Sequence, residues 1–400
     1  MNVSEELNRH VNRIQRGALG LGVAALIACI VGAFFNPTQF LQSYLFAFVF
    51  WVGIAVGSLA VEMTHHATGG AWGFVIRRLL EAASTTLILL CVLGIPILIG
   101  MKSLFIWTHP DQMAAVATAH EIRNKSGFFL NVPWFIIRYC VYFIVWIGLA
   151  VLLRKWSLQQ DRTGDPALTP RFQYVCCWGL VLYVLTISFA AMDWIMSLEP
   201  MWYSTIFGML VICGQGVGTF GFMLAVAIWL ARRQLLVESV SPDTFRDLGG
   251  LMLAFVLLWA YMAFSQYLII WSGNTAKESS WYLHHGHNGW SGVAYFLIAA
   301  HFLFPFILLL FGHIKRNVRS LAAIAALLLF AHFVDVFWMI MPSFYTGGFT
   351  VHWMDVLLPI SLGGLWMAWF IWQVKQAPLV PLQDPRLAGQ FNVKEALERG

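Results

Sequence analysis

The sequence predicts an all-α polytopic membrane protein of ten transmembrane helices, and three observations lead there. Hydrophobic residues make up 60% of the chain and charged residues only 11%, whereas a soluble domain carries about 25% charged residues. The apolar residues gather into ten runs, at about 17–35, 41–62, 79–100, 133–153, 175–197, 205–230, 249–270, 291–311, 320–341 and 355–373. At 1.5 Å per residue each is long enough to cross a hydrocarbon core of about 30 Å. The basic residues then alternate between the connecting segments. With the N-terminus inside, the inner segments hold 19 of the 24 Lys and Arg, among them Arg13, Arg16, Arg77, Arg78, Arg154 and Lys315, while the outer segments hold only Lys102, Arg123, Lys125 and Lys277. This is the positive-inside pattern, and it predicts that both termini are cytoplasmic. It also explains the net charge of +5 without a nucleic-acid partner.

Taken in order, residues 1–16 form a basic cytoplasmic N-terminus. The first run lacks the small-residue region at which a signal peptide is cut, so it reads as a retained helix. Span 2 carries WVGIAVGSLA (51–60) and span 6 carries ICGQGVGTFG (212–221), so that Gly53 and Gly57 match Gly214 and Gly218. GxxxG permits close helix approach. Because the two spans run the same way with four spans between them, they suggest two four-helix bundles in parallel: helices 2–5 (about 41–197) and helices 6–9 (about 205–341), with helices 1 and 10 outside them. Spans 5 and 6 form a tight hairpin around Pro200, with Trp194, Trp202 and Tyr203 expected at headgroup depth. The outer segments after spans 3 and 7 are longer. The first predicts a short surface helix over 110–125, and the second, SGNTAKESSWYLHHGHNGW (272–290), predicts a surface that another chain covers. Residues 374–400 form a cytoplasmic tail. The six cysteines all fall in apolar runs without CxxC and read as small core residues.

Ionisable residues inside the spans are the candidates for chemistry, since placing Asp, Lys or Arg at a helix centre costs about 2.5–3.5 kcal/mol. Glu62, His65, His66 and Glu81 lie toward the cytoplasmic side, Arg138, Asp193 and Asp355 toward the outer side, and His301, His332 and Asp335 near mid-depth. His332 and Asp335 share a face of helix 9 at i, i+3, and a carboxylate beside an imidazole can hold or pass a proton near neutral pH. Structural pairing of Arg138 with Asp193 or Asp355 competes with a functional role for that trio. His301 and His332, at matched depth on neighbouring helices, also have the placement of axial ligands to a b-type haem. A proton relay ranks ahead of haem, because Asp335 one turn from His332 would put a carboxylate against the macrocycle. His284, His285 and His287 are a weak metal set, and Gln215 and Gln266 offer amides to a quinone carbonyl or to neighbouring helices. No P-loop, GxGxxG or zinc signature is present.

The strings DWIMSLEPMWYSTIFG (193–208), FSQYLIIWSGN (264–274) and WYLHHGHNGW (281–290) resemble the ActF-type integral membrane subunit of alternative complex III, a bacterial quinol:electron-acceptor (cytochrome c) oxidoreductase. That subunit is of the NrfD or polysulfide-reductase membrane-subunit type, and the likeness extends over nearly the whole chain. It implies ten helices in two four-helix bundles and a bacterial inner-membrane location. The partners it implies are a paralogous NrfD-like quinol-binding membrane subunit, an iron–sulfur subunit related to molybdopterin enzymes, and multihaem cytochrome c subunits. It implies no cofactor on this chain, with iron–sulfur clusters and haem c in the partner subunits and menaquinol or ubiquinol as substrate of the whole complex. Polar groups scattered over three depths read as a transmembrane proton path rather than a compact quinone pocket. The expected function is therefore a cofactor-free membrane subunit that moves protons and assembles the redox subunits. The rivals are a direct quinone-binding subunit, a stand-alone secondary transporter and a purely structural scaffold.

Overall fold

The computed structural model describes residues 3–116, 118, 129–233, 242–381, 383 and 384. Among them there is no strand, and ten helices are long and apolar enough to cross a membrane: α1 (His10–Phe35), α2 (Pro37–Thr68), α3 (Trp72–Ile99), α4 (Val132–Thr163), α5 (Leu168–Leu198), α6 (Phe207–Ala231), α7 (Asp243–Gly273), α8 (Trp290–Leu310), α9 (Val318–Ser343) and α10 (Trp353–Val374). The chain is an all-α polytopic membrane protein. Ten crossings place the start of α1 and the end of α10 on one face, called here the terminal face; the other is the distal face. The expected helix over 110–125 is helical over Pro110–Val116, and the rest of that segment, with Arg123 and Lys125, lies outside the described residues apart from Thr118, as does the tail beyond Asp384.

Helix ends follow local chemistry. Asn36 caps α2 by accepting from the Gln39 amide at 3.1 Å, with Pro37 in the first turn. Asn131 caps α4 in the same way, and Asn317 caps α9. Such side chains satisfy amides that have no partner inside the helix. At the distal end of α10, the Asp355 carboxylate accepts from the His352 amide at 2.8 Å while His352 accepts from Met354, closing a capping box.

Two helices are interrupted. In α3 the run Ser84–Thr85–Thr86 hands its hydroxyls back to the carbonyls of Glu81, Ala82 and Ala83, a back-bonding that bends helices. In α8, Ile298–Leu303 form a π-helical turn around His301. Pro305 has no N–H to give to the carbonyl four residues back, which is that of His301.

Two helices form the centre: an apolar 18-residue stretch is 89% buried in α2 and 83% in α6, against 28% in each of α7 and α8. Around α2 pack α3, α4 and α5; around α6 pack α7 and α9, with α8 against α7 and α9. The groups of four expected from the glycine repeat meet where α6 lies on α2 and α5, and α1 and α10 pack together on the outside of α2. The two GxxxG motifs do not meet glycine to glycine. A Cβ on Gly57 would lie 2.4 Å from Thr219 Oγ1 and 3.0 Å from the Gln215 carbonyl, whereas Gly218 receives the His332 ring.

Three expectations change. Arg77 and Arg78, read as loop charges, are buried inside α3, because that helix begins at Trp72 rather than near 79. Arg154 is buried within α4, which continues to Thr163. Trp194 and Trp202 do not sit among headgroups: Trp194 fills the core of the first bundle against Phe48, Tyr142 and Trp146, and Trp202 stacks on Trp281 at 5.0 Å, leaving only Tyr203 exposed.

Helices α1 and α10 meet backbone to backbone, where a Cβ on Gly364 would lie 2.5 Å from the Ala18 carbonyl and 2.6 Å from Gly22 Cα. The obstacles are backbone atoms, which cannot rotate away. Gly364→Ala is expected to destabilise the protein by about 1–3 kcal/mol, read as a lower midpoint of thermal unfolding in detergent; an unchanged midpoint would show that α1 is not held by this contact.

Candidate functional site

The buried ionisable residues gather into four clusters, and their partners separate closed sites from open ones. On the distal side of the first bundle, Arg138 donates to both Asp193 oxygens at 2.8 and 2.6 Å, and Tyr142 donates to Asp193 at 2.7 Å. Also on that side, Asp355 accepts from Ser43 at 2.5 Å and Tyr345 at 2.8 Å besides the His352 amide, and has no cation beside it among the described residues. Burial and the neighbouring Asp355 together push the Tyr345 phenol above its ordinary range, so it stays a donor. Both carboxylates are saturated by hydrogen bonds, as buried acids must be. The sequence left the partner of Arg138 open between Asp193 and Asp355; the structure gives it to Asp193.

Toward the terminal face, Glu81 accepts from Arg77 at 3.0 Å, Arg78 at 2.6 Å and Ser157 at 2.5 Å, and Arg78 also pairs with Asp161. Glu62 lies behind this network, with Ser84 donating to one oxygen at 3.1 Å. His66 stacks face to face on Phe172 at 4.2 Å, and His65 sits between Trp72 and Phe74 at 5.1 Å from each.

The mid-depth cluster is different. Asp335 accepts one hydrogen bond, from Trp259 Nε1 at 3.1 Å, and His332 Nδ1 stands 3.9 Å away, within charge contact but beyond a hydrogen bond. The rings of His301 and His332 lie 6.2 Å apart, and the Trp259 ring covers His301 at 4.0 Å. His332 packs against Phe50 at 5.9 Å and against the bare backbone of Gly214 and Gly218. Both imidazoles are buried, and none of their ring nitrogens has a hydrogen-bond partner among the described residues. So the residues singled out at mid-depth do converge, with their imidazole nitrogens left unsatisfied among the described residues.

Beside Asp335 lies a cavity of about 950 Å³ between α7 and α8. Its inner wall is Leu210, Trp259, Asp335, Trp338 and Met339, and its roof is Trp281, Tyr282 and His285 from the surface helix Ala276–Gly286. Its outer rim is Tyr261, Phe264, Tyr267, Tyr295 and Ile298, all exposed on the apolar flank of the bundle, so the mouth opens sideways toward lipid. A few polar groups face an otherwise apolar space, as in sites for small amphiphiles. Gln266 is fixed by Ser204, which donates to its carbonyl at 2.9 Å, and gives one N–H to Tyr282 at 3.3 Å. Burial raises the Tyr282 phenol to about 12, so it remains a donor. His285 donates from Nδ1 to the Trp281 carbonyl, 2.8 Å away, and stacks on the Trp281 ring at 3.8 Å; burial drops it to about 3.

The sequence offers Gln266, with Gln215, as an amide for a quinone carbonyl or a neighbouring helix, and His285 in a weak metal set. The cavity collects them, and adds Trp259, Tyr282 and the aromatic rim, none of which had been singled out as site residues. The one available signal was the density of Trp, Tyr and His at 281–285 next to FSQYL. Gln215 does not reach the cavity; it accepts from Tyr183 at 3.0 Å and joins α5 to α6. His284 faces Glu199 at 3.5 Å rather than joining His285 and His287, and no three His, Cys, Asp or Glu among the described residues converge on a metal position.

Neither models of known protein families nor curated protein sequences give a match to this chain.

Because the folded His285 binds its proton far more weakly than an exposed imidazole of about 6.5, its contribution to stability is complete above that pH and is lost as pH falls toward 3. His285→Gln is expected to flatten the acid limb of the stability curve between those values while lowering stability at pH 8. An acid limb with the original slope in the variant would show that His285 does not govern it.

Proposed function

We propose that this protein is a membrane subunit of a quinol:electron-acceptor oxidoreductase, with the cavity between α7 and α8 holding the quinol headgroup. The supporting observation is that cavity itself: apolar, open to lipid and edged by a few fixed polar groups, it suits a ligand that travels in the bilayer. The quinone-binding alternative thereby moves ahead of a pure proton path, since Asp335, Trp259, Gln266, Tyr282 and His285 now surround one space. In this reading Gln266 and Tyr282 hold one oxygen of the ring, and Asp335 faces the other side. Oxidising a quinol releases two electrons and two protons. Asp335 takes up the first proton from a ring hydroxyl and hands it on to His332, with His301 beyond it, and is then free to take up the second. The electrons pass to redox groups in partner subunits, for which the sequence resemblance suggests an iron–sulfur protein, multihaem cytochromes c and a paralogous membrane subunit. The excess of Lys and Arg in segments on the terminal face supports a cytoplasmic location for that face, and the resemblance supports a bacterial inner membrane.

A stand-alone transporter is the reading that the π-helical break at His301 favours, because transporters use broken helices at mid-membrane. An apolar cavity that opens to lipid does not suit a polar solute crossing between two aqueous phases.

Purifying the tagged native protein in mild detergent and identifying its companions by mass spectrometry tests the reading. Stoichiometric iron–sulfur and multihaem subunits, with quinol-dependent reduction of a c-type cytochrome, are expected. Asp335→Asn is expected to leave the assembly intact and lower turnover by about 100-fold, the usual contribution of one proton-transfer group. A chain that purifies alone without redox activity would contradict it.

A further inference from the structure

Beyond α10 the chain turns back across the terminal face, and Leu379 and Val380 pack on the core while Pro381 is buried. Asp384, ten residues past the helix end at Val374, is only 3% exposed. Its Oδ2 lies 2.7 Å from Arg77 Nη1, and the two side chains are 0% and 1% exposed. A carboxylate in a surface tail has no need to be buried, and burial is costly unless a charge partner compensates for it. Arg77 is that partner, and Asp384 completes its coordination: Nε donates to Glu81 at 3.0 Å and Nη2 to Ser157 at 2.8 Å, leaving only Nη1 for the tail.

Glu62 lies behind this cluster. It is fully buried, it makes no ion pair among the described residues, and its Oε1 accepts no hydrogen bond there. Around the same site stand Glu81, Arg78, Arg154, Asp161, His65 and His66. We propose that the stretch of tail carrying Leu379, Val380, Pro381 and Asp384 is a removable plug over the terminal-face mouth of the first bundle, with Asp384 as the ligand that keeps it docked on Arg77 and Glu62 as the group it seals from water. Arg77 is a carboxylate-recognition site whose occupant is the chain's own tail, while Arg78 beside it is held by Glu81 and Asp161. When Asp384 leaves, the freed Arg77 Nη1 opens the way from the terminal face to Ser84 and Glu62. This plug stands apart from whatever the cavity between α7 and α8 binds.

The reporter is Ser84→Cys, a near-isosteric change at the residue that donates to Glu62, with Ser157→Cys as a second reporter should the first misfold. Full-length protein in lipid nanodiscs is exposed to a small, charged methanethiosulfonate reagent, and labelling is read site by site by mass spectrometry. The native Cys29 and Cys213, both buried, are internal controls. Adding Asp384→Asn, which removes one charge-assisted hydrogen bond, is expected to raise labelling at position 84 by about tenfold or more, with Asp384→Glu near the original rate and both controls unchanged. Equal labelling with and without Asp384→Asn would overturn the proposal. So would a parallel rise at Cys29 and Cys213, which would make the tail a staple for the whole bundle rather than a plug over one mouth.

Discussion

The close approach of α6 to its neighbours is the constraint on which the architecture turns. In lipid no hydrophobic force drives helices together, so small residues that let backbones touch do that work. α6 has such residues on several sides: Gln215 and Thr219 fit into the space left by Gly57 of α2, Gly216 receives Phe255 of α7, and Gly218 receives His332 of α9. The helix thereby joins the two bundles and brings the polar face of α9 against its bare backbone. Without Gly214 and Gly218 there would be no room for an imidazole at that depth, and Asp335 would have no histidine beside it.

The second constraint is that polar groups in hydrocarbon must find partners. Asp193 and Asp355 meet it completely, one with an arginine and a tyrosine, the other with hydroxyls and a cap amide. Helix pairs α4–α5 and α8–α9 occupy corresponding places in the two bundles, yet they treat their acids differently. In the first pair Arg138 neutralises Asp193, and Tyr142, Trp146 and Trp194 fill the space around it. In the second, Asp335 has one indole donor and a neighbouring cavity. An acid that is neither locked by a cation nor saturated by donors, and that lines a cavity, is the one able to exchange a proton with a ligand, which is why the functional reading rests on the second bundle.

Much of the fold was legible in the sequence, because span length and the glycine repeat are local signals that lipid converts directly into helices and contacts. The number of spans and their grouping come from these. Burial of Arg77 and Arg78 was not legible: the terminal-face extension of α3 is held by Glu81, Ser157 and Asp384, residues up to 307 positions away, and hydropathy cannot register a charge that is matched from such a distance. Trp194 and Trp202 misled for a similar reason, since an aromatic residue near a span end serves equally as belt or core until its neighbours are known. The mid-depth group was legible as separate residues, with His332 and Asp335 on one face. The cavity beside it was not, because it is bounded by residues from four helices and a surface helix that lie far apart in the chain.

The most direct measurement is photo-crosslinking of the purified protein, in its native assembly, with a short-tailed quinone carrying an azido group on the ring, followed by peptide mapping. Labels on α7 between Leu257 and Tyr267 and on α8 between Ala294 and Phe302, suppressed by excess unmodified quinol and weakened by Asp335→Asn, are the predicted result. Labels that avoid both helices, or that persist there undiminished under excess quinol, would contradict the assignment of this cavity to the quinol headgroup.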